Sequence, residues 1–241
     1  ELALDSDKTN AEIWYLKAIA LGKIGAEEDG LVSLNNAIRY DEKHALARYE
    51  RARKRWQSGF AKEVIEDLNI VLDSNTVNSE AFHLRGRAYG SIGEHYLAIQ
   101  DLNFAINLNS SNKEYYLTRA TANIKTGQIT SARDDLSKAI QLDPSCAIAY
   151  YNRAGVYALL EEVDLALSDY SVALDKDPEN KIYLRDRGVA SRLAGKLDDA
   201  INDLTELVNV GLGDGITYFE RGNSYYEKDE VGLAILDYDQ A

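Results

Sequence analysis

Pairs of arginine and aspartate recur along the chain at a constant separation. Six arginines each precede an aspartate by sixteen residues; the pairs are Arg51–Asp67, Arg85–Asp101, Arg119–Asp135, Arg153–Asp169, Arg187–Asp203 and Arg221–Asp237. Guanidinium and carboxylate groups form strong, often bidentate hydrogen bonds. The row could therefore bind an anionic partner, or each pair could be an internal ion pair, within one structural unit or with the next. The constant separation favours the internal ion pair.

Other residue types in the chain offer little for catalysis. The three histidines, His44, His83 and His95, are far apart, and the sequence has neither a glycine-rich phosphate loop nor a paired-histidine metal motif. Cys146 is the one cysteine, which excludes an intrachain disulfide and a cysteine-rich metal site. We therefore expect a protein that is not an enzyme and has no cofactor. The lone cysteine also favours a reducing compartment such as the cytoplasm.

Charge and hydropathy limit the classes of partner. The 241 residues have a formal net charge of −13, which argues against non-specific binding to nucleic acid or to an anionic membrane. No apolar run is long enough for a transmembrane helix. We expect protein or peptide partners and no membrane-spanning segment.

The elements that carry the charged pairs are predicted to be helices joined in pairs. In residues 147–180, two groups of aromatic and small residues lie at helical spacings of three and four, and Pro178 ends the second helix. The break between the two helices is predicted from Glu161 to Asp164. The residues of the two groups are Tyr150, Ala154 and Tyr157, and Ala166, Tyr170 and Ala173.

The same pattern repeats every 34 residues without an insertion. The predicted units are 11–44, 45–78, 79–112, 113–146, 147–180, 181–214 and a partial unit 215–241, and residues 1–10 are the end of a preceding unit. A turn glycine recurs at Gly25, Gly59, Gly93, Gly127 and Gly195, where Glu161 and Asp229 are the exceptions. We expect both ends to be cut, because Glu1 to Asp7 match the tail of a second helix and the last unit is incomplete.

This pattern resembles the tetratricopeptide repeat family, whose units are 34-residue helix–turn–helix pairs. The unit 147–180 matches the family's seven motif positions, with Pro178 at the last of them. The resemblance implies an all-α, right-handed superhelical solenoid of antiparallel helix pairs. It also implies that the first helices of the units line a concave face that binds peptide segments of partner proteins.

The resemblance identifies candidate binding residues on that face. They are Tyr49, Arg53, Trp56, His83, Arg87, Lys125, Tyr151, Asn152, Arg185 and Arg192. Aromatic anchors and cations coincide in the units from 45 to 146, which favours an acidic peptide there. The charges on the face are predicted to separate, with acids near the start of each first helix and bases near its end. Alternatively, neighbours on the same helix neutralise one another, as Glu50 would Arg53.

The helix predicted over residues 45–58 is the one basic block. It contains Arg48, Arg51, Arg53, Lys54 and Arg55. The block could bind a phosphate or an acidic segment. Alternatively, its long side chains lie beside Glu63, Glu66 and Asp67 of the next helix.

These observations favour a non-enzymatic scaffold for protein–protein interaction. Two alternatives remain open: a substrate-targeting arm of a larger enzyme whose catalytic domain lies outside this sequence, and a repeat module that self-associates.

Overall fold

The computed structural model describes residues 9–73 and 78–241, and these form fourteen α-helices without a β-strand. The all-α prediction is confirmed. The chain divides into two compact units, the first ending at Thr126 and the second beginning at Gly127. The interpretation of residues 1–7, with Ala3 as part of a second helix, lies outside the described residues.

The first unit contains seven helices arranged as antiparallel neighbours. They are α1 (Ala11–Lys23), α2 (Glu27–Tyr40), α3 (Ala45–Gln57), α4 (Ala61–Asp73), α5 (Ser79–Ser91), α6 (His95–Leu108) and α7 (Lys113–Lys125). Within this unit α1, α3, α5 and α7 begin 34 residues apart.

The second unit contains the other seven helices. They are α8 (Ile129–Leu142), α9 (Ala147–Leu159), α10 (Val163–Lys176), α11 (Lys181–Leu193), α12 (Leu197–Asn209), α13 (Gly215–Glu227) and α14 (Val231–Tyr238). Helix α10 ends two residues before Pro178, as the missing N–H of proline requires. The break before α10 was predicted to extend to Asp164, but the helix already begins at Val163.

Turns between the helices of a pair require a left-handed residue. Gly127 has φ +75° and Gly195 has φ +71°, as expected for a glycine that ends a helix. The two exceptions follow the same geometry, since Glu161 has φ 61° and Asp229 has φ 65°. The packing of the helix pair therefore imposes this backbone conformation even where the side chain disfavours it.

The core lies between the helices and depends on small residues at their closest approach. Ala132, Ala154 and Ala166 are completely buried. At Gly188 a Cβ would lie 3.0 Å from the Leu204 side chain, so even a methyl group would crowd α12. The close approach of the helix backbones fixes the relative positions of the side chains on the first helices, which include the candidate binding residues.

Candidate functional site

The predicted internal ion pairs are confirmed where both partners lie in one unit of the structure. In the pair Arg153–Asp169, Nε donates to Oδ2 over 2.6 Å and Nη2 donates to Oδ1 over 2.9 Å. Asp169 is buried, so the carboxylate depends on this bidentate contact. The Asp169 carboxylate also raises the pKa of Arg153. The same bidentate geometry joins Arg51–Asp67, Arg85–Asp101, Arg187–Asp203 and Arg221–Asp237.

Each of these arginines also binds the preceding second helix. Its Nη1 donates to a side-chain oxygen sixteen residues earlier, as Arg153 does to Ser137 Oγ over 3.1 Å. The same acceptor position is filled by an asparagine, serine or threonine throughout, at Asn35, Asn69, Asn103, Ser171 and Thr205. Most donors of the row are thus used inside the fold, which leaves it poorly suited to an anionic partner.

The basic block on α3 is also largely used internally. Arg48, Arg51 and Arg55 all contact the carboxylate of Asp67, over 2.8, 2.6 and 2.7 Å, and Asp67 is 1% exposed. Lys54 pairs with Glu27. The alternative in which these side chains lie along the next helix is therefore the better description, although one aspartate binds all three arginines.

Five of the ten candidate binding residues line one cavity in the first unit. The cavity has a volume of about 530 Å³ and lies between α3 and α5. Its lining includes Tyr49, Arg53 and Trp56 from α3 and His83 and Arg87 from α5. Because α3 residues 49, 53 and 56 share one helix face, their side chains lie side by side, away from the arginines that bind Asp67.

Arg87 and Trp56 contact each other in the lining of this cavity. The Arg87 guanidinium lies 4.9 Å from the centre of the Trp56 ring, within the range of a cation–π contact. Among the described residues Arg87 has no carboxylate partner, and its side chain is exposed. The pair thus holds an available cation over one face of the indole ring.

Glutamates in the cavity lining already neutralise part of its positive charge, as the alternative of pairing within one helix predicted. Glu50 and Glu80 also line it, Glu50 pairs with Arg53 over 3.1 Å, and Glu80 accepts from the Tyr49 hydroxyl over 3.4 Å. Burial, together with the charge of Glu80, raises the pKa of Tyr49 to about 12. Since Glu50 and Arg53 are three residues apart on one helix, they meet instead of separating, and Arg53 is less available than Arg87.

His83 contributes no positive charge at neutral pH. Burial, with the nearby Arg87 charge, lowers the pKa of its imidazole to about 4. Thr118 donates its hydroxyl to the Glu114 carbonyl, so its oxygen accepts from His83 Nε2 over 3.0 Å. His83 therefore links α5 to α7 as a neutral donor at the base of the cavity.

Lys125 also belongs to the first unit but lies apart from the cavity. It is exposed in the last turn of α7 and does not contribute to the lining.

The other four candidates lie in the second unit, where carboxylates already bind the cations. Arg192 contacts Glu220 over 3.0 Å and Glu227 over 2.6 Å. Arg185 contacts Asp186 and Asp214, both over 3.4 Å. Tyr151 donates to Asp186 over 2.6 Å, which together with burial raises its pKa, and its ring stacks on Tyr183 at 4.5 Å. Asn152 is half-buried beside Tyr151 on α9.

Two further properties concern metals and membranes. In residues 9–73 and 78–241, no three His, Cys, Asp or Glu side chains are arranged to hold a metal ion. Within the same residues, no helix combines the length and apolar character needed to cross a bilayer.

Comparison with known proteins supports the predicted repeat over part of the chain. Residues 117–181 and 161–208 match a family model described as tetratricopeptide repeat. No curated protein matches the chain significantly.

Solved structures with similar folds include the protein YrrB, described as a TPR protein with an unusual peptide-binding site. It is 23% identical, with a TM-score of 0.70, and the match covers 76% of this chain and 94% of that chain. A tetratricopeptide repeat protein from Parabacteroides merdae is 18% identical, with a TM-score of 0.71 and coverage of 95% and 91%. PilF from Pseudomonas aeruginosa is 16% identical, with a TM-score of 0.69 and coverage of 92% and 98%.

Proposed function

We propose that this chain is a tetratricopeptide repeat protein and a non-enzymatic scaffold that binds a peptide segment of a protein partner in the α3–α5 cavity. The family's fold generally supports protein–protein interaction. The observation that carries the finer proposal is the coincidence of Trp56 and an unpaired Arg87 in a cavity of about 530 Å³. The peptide-binding site of the similarly folded YrrB is consistent with this use of the fold.

The cavity favours a peptide that places an apolar side chain next to an acidic one. Trp56 offers a ring face for the apolar side chain, and tryptophan and arginine are the residues that most often dominate binding energy. A carboxylate of the peptide would pair with Arg87, which has no acid of its own. Arg53 is a weaker partner, because it would have to leave Glu50.

Charge limits the affinity of an acidic peptide. The net charge of −13 repels it at long range, and the lining contains two glutamates beside two arginines. Attraction therefore acts only over short distances, and at physiological ionic strength salt largely screens it beyond a Debye length of about 8 Å. We expect modest affinity that falls further as salt is raised.

The test begins with peptides selected from a random phage-displayed library on the wild-type chain. Their affinity is then measured by calorimetry against wild type and the Arg53→Glu/Arg87→Glu variant. The double variant is expected to lose at least about tenfold in affinity, equivalent to about 1.4 kcal/mol, with an unchanged helical circular dichroism spectrum. The matched control is Arg133→Glu, an exposed arginine on a second helix of the other unit.

Two results would contradict the proposal. One is a selected peptide that binds the double variant as tightly as wild type. The other is a selected set without acidic residues, which would remove the role assigned to Arg87.

A further inference from the structure

The second unit contains a cavity beside Ser191, at a position where other repeats have an aromatic residue. In three repeats the ion-paired arginine lies between two aromatic rings, three residues before it and four residues after it. Arg153 lies 5.7 Å from the Tyr150 ring and 5.6 Å from the Tyr157 ring. The same arrangement places Arg221 between Tyr218 and Tyr225, and Arg85 between Phe82 and Tyr89.

The repeat around Arg187 lacks both rings. Leu184 and Ser191 occupy their positions. The Arg187 side chain is 29% exposed, compared with 18% for Arg153 and 12% for Arg221. The ion pair with Asp203 is intact at 2.8 Å, so the arginine keeps its place while one face of the guanidinium is uncovered.

A cavity of about 340 Å³ opens beside this uncovered face. Its lining includes Leu167 from α10, Arg187 and Ser191 from α11, and Asn202 from α12. Its volume lies near the lower end of ligand pockets, which span about 300–1,000 Å³. The cavity therefore occupies the region that a tyrosine ring fills in the neighbouring repeats.

Ser191 adds a polar group to the cavity. The residue is 3% exposed, and its hydroxyl has no hydrogen-bond partner among the described residues. No buried side-chain nitrogen or oxygen among the described residues lacks a partner, so this hydroxyl is open to the cavity, where water or a ligand hydroxyl binds it.

The charges of the lining indicate which ligand fits. Arg187 and Lys196 are balanced by Asp199 and Asp203, so the cavity attracts neither an anion nor a cation. A neutral aromatic ring gains cation–π energy from Arg187 without removing any of these charges from its partner.

We propose that this cavity binds a tyrosine side chain of a partner protein. The ring would stack on Arg187 in the place of the missing aromatic residue. The tyrosine side chain would enter the cavity from solvent with its hydroxyl first, and this hydroxyl would contact Ser191 Oγ. This site lies in the second unit, whereas the α3–α5 cavity lies in the first. The two proposals are therefore independent, and each is tested separately.

The probe is N-acetyl-tyrosinamide, titrated into the isotope-labelled chain and followed by two-dimensional NMR. We expect saturable shifts confined to α10, α11 and α12, including the Arg187 Nε–H signal, with a dissociation constant of about 1 mM. N-acetyl-phenylalaninamide, which lacks the hydroxyl, should bind several-fold more weakly.

Two substitutions of one residue separate the ring from the hydroxyl. Ser191→Tyr restores the intramolecular ring, and it should lower the affinity for the probe at least tenfold without lowering the melting temperature. Ser191→Ala keeps the cavity, and it should reduce binding of the tyrosine probe to the level of the phenylalanine probe.

Several results would overturn the proposal. They are the absence of saturation in wild type up to about 50 mM, fifty times the expected dissociation constant, shifts that map outside these three helices, and undiminished binding to a folded Ser191→Tyr variant. Equal affinity of wild type and Ser191→Ala for the tyrosine probe would overturn the role of the hydroxyl.

Discussion

Removal of one partner from the Arg153–Asp169 pair should be strongly destabilising. Asp169→Ala leaves the guanidinium without its carboxylate, while Tyr150, Tyr157 and Ser137 still hold it in place. A buried pair that loses one partner typically costs about 3–5 kcal/mol. The Arg153 side chain is 18% exposed and the Asp169 side chain 8% exposed. Some water therefore reaches the orphaned cation, and we expect a loss near the lower limit, about 3 kcal/mol.

A double-mutant cycle tests whether the loss of unfolding free energy comes from the interaction between Arg153 and Asp169. Arg153→Ala alone should also cost about 3 kcal/mol, because it leaves a buried carboxylate unpaired. Since the second substitution then removes a group that is already unpaired, the double variant should lose about 4 kcal/mol, well below the sum. Urea denaturation followed by circular dichroism gives the free energies. Hydrogen exchange in α9 and α10 shows whether the loss is local, because repeat arrays need not unfold in a single step.

The control for this cycle is the pair Arg133–Asp134. These neighbours contact each other at 3.0 Å, but their side chains are 35% and 69% exposed. Substitution of either by alanine should change stability by less than about 0.5 kcal/mol. A cost below about 1 kcal/mol for Asp169→Ala, or strict additivity in the cycle, would refute the reasoning.

Two further predictions concern the turns and the candidate site. Glu161→Gly should stabilise the fold by about 1 kcal/mol in urea melts, because φ 61° strains a residue with a Cβ. Gly127→Ala, at φ +75°, should destabilise it by a similar amount. A loss of stability in Glu161→Gly would contradict this reasoning. His83 has a folded pKa of about 4 against about 6.5 unfolded, so its neutral form stabilises the fold fully above pH 6.5, and this contribution, about 3 kcal/mol, is lost as pH falls to 4. Wild type should therefore lose more stability over that range than His83→Asn, and parallel pH profiles for the two would be inconsistent with a lowered pKa.

Periodicity was enough to predict most of the fold. The 34-residue repeat predicted the helix pairs, and the small residues Ala154 and Ala166 of its pattern are fully buried. The recurring glycines likewise predicted the turns, where Gly127 and Gly195 have positive φ. The sequence could not show that Glu161 adopts the same conformation, because the cost is imposed by packing across the turn and not by the residue itself.

Side-chain contacts limited the prediction of the candidate site. Tyr49, Trp56 and Arg87 were identified from their positions on the first helices, and the structure places them around one cavity. Whether a cation is free depends on rotamers and neighbours that the pattern does not contain. For this reason Arg192 was a candidate although two glutamates bind it, and His83 was a candidate although burial keeps it neutral.

The hydrogen bond from each ion-paired arginine to the preceding second helix limits which changes in chain length the fold tolerates. The arginine binds one side chain sixteen residues before it and another sixteen residues after it, as Arg153 does with Ser137 and Asp169. Deletion or duplication of a whole 34-residue block brings an equivalent set of three residues back together at the junction. A block of any other length separates at least one member of the set from its partners and leaves a buried charge unpaired. The contacts of the arginine therefore favour insertion or deletion of complete 34-residue repeats over changes of any other length.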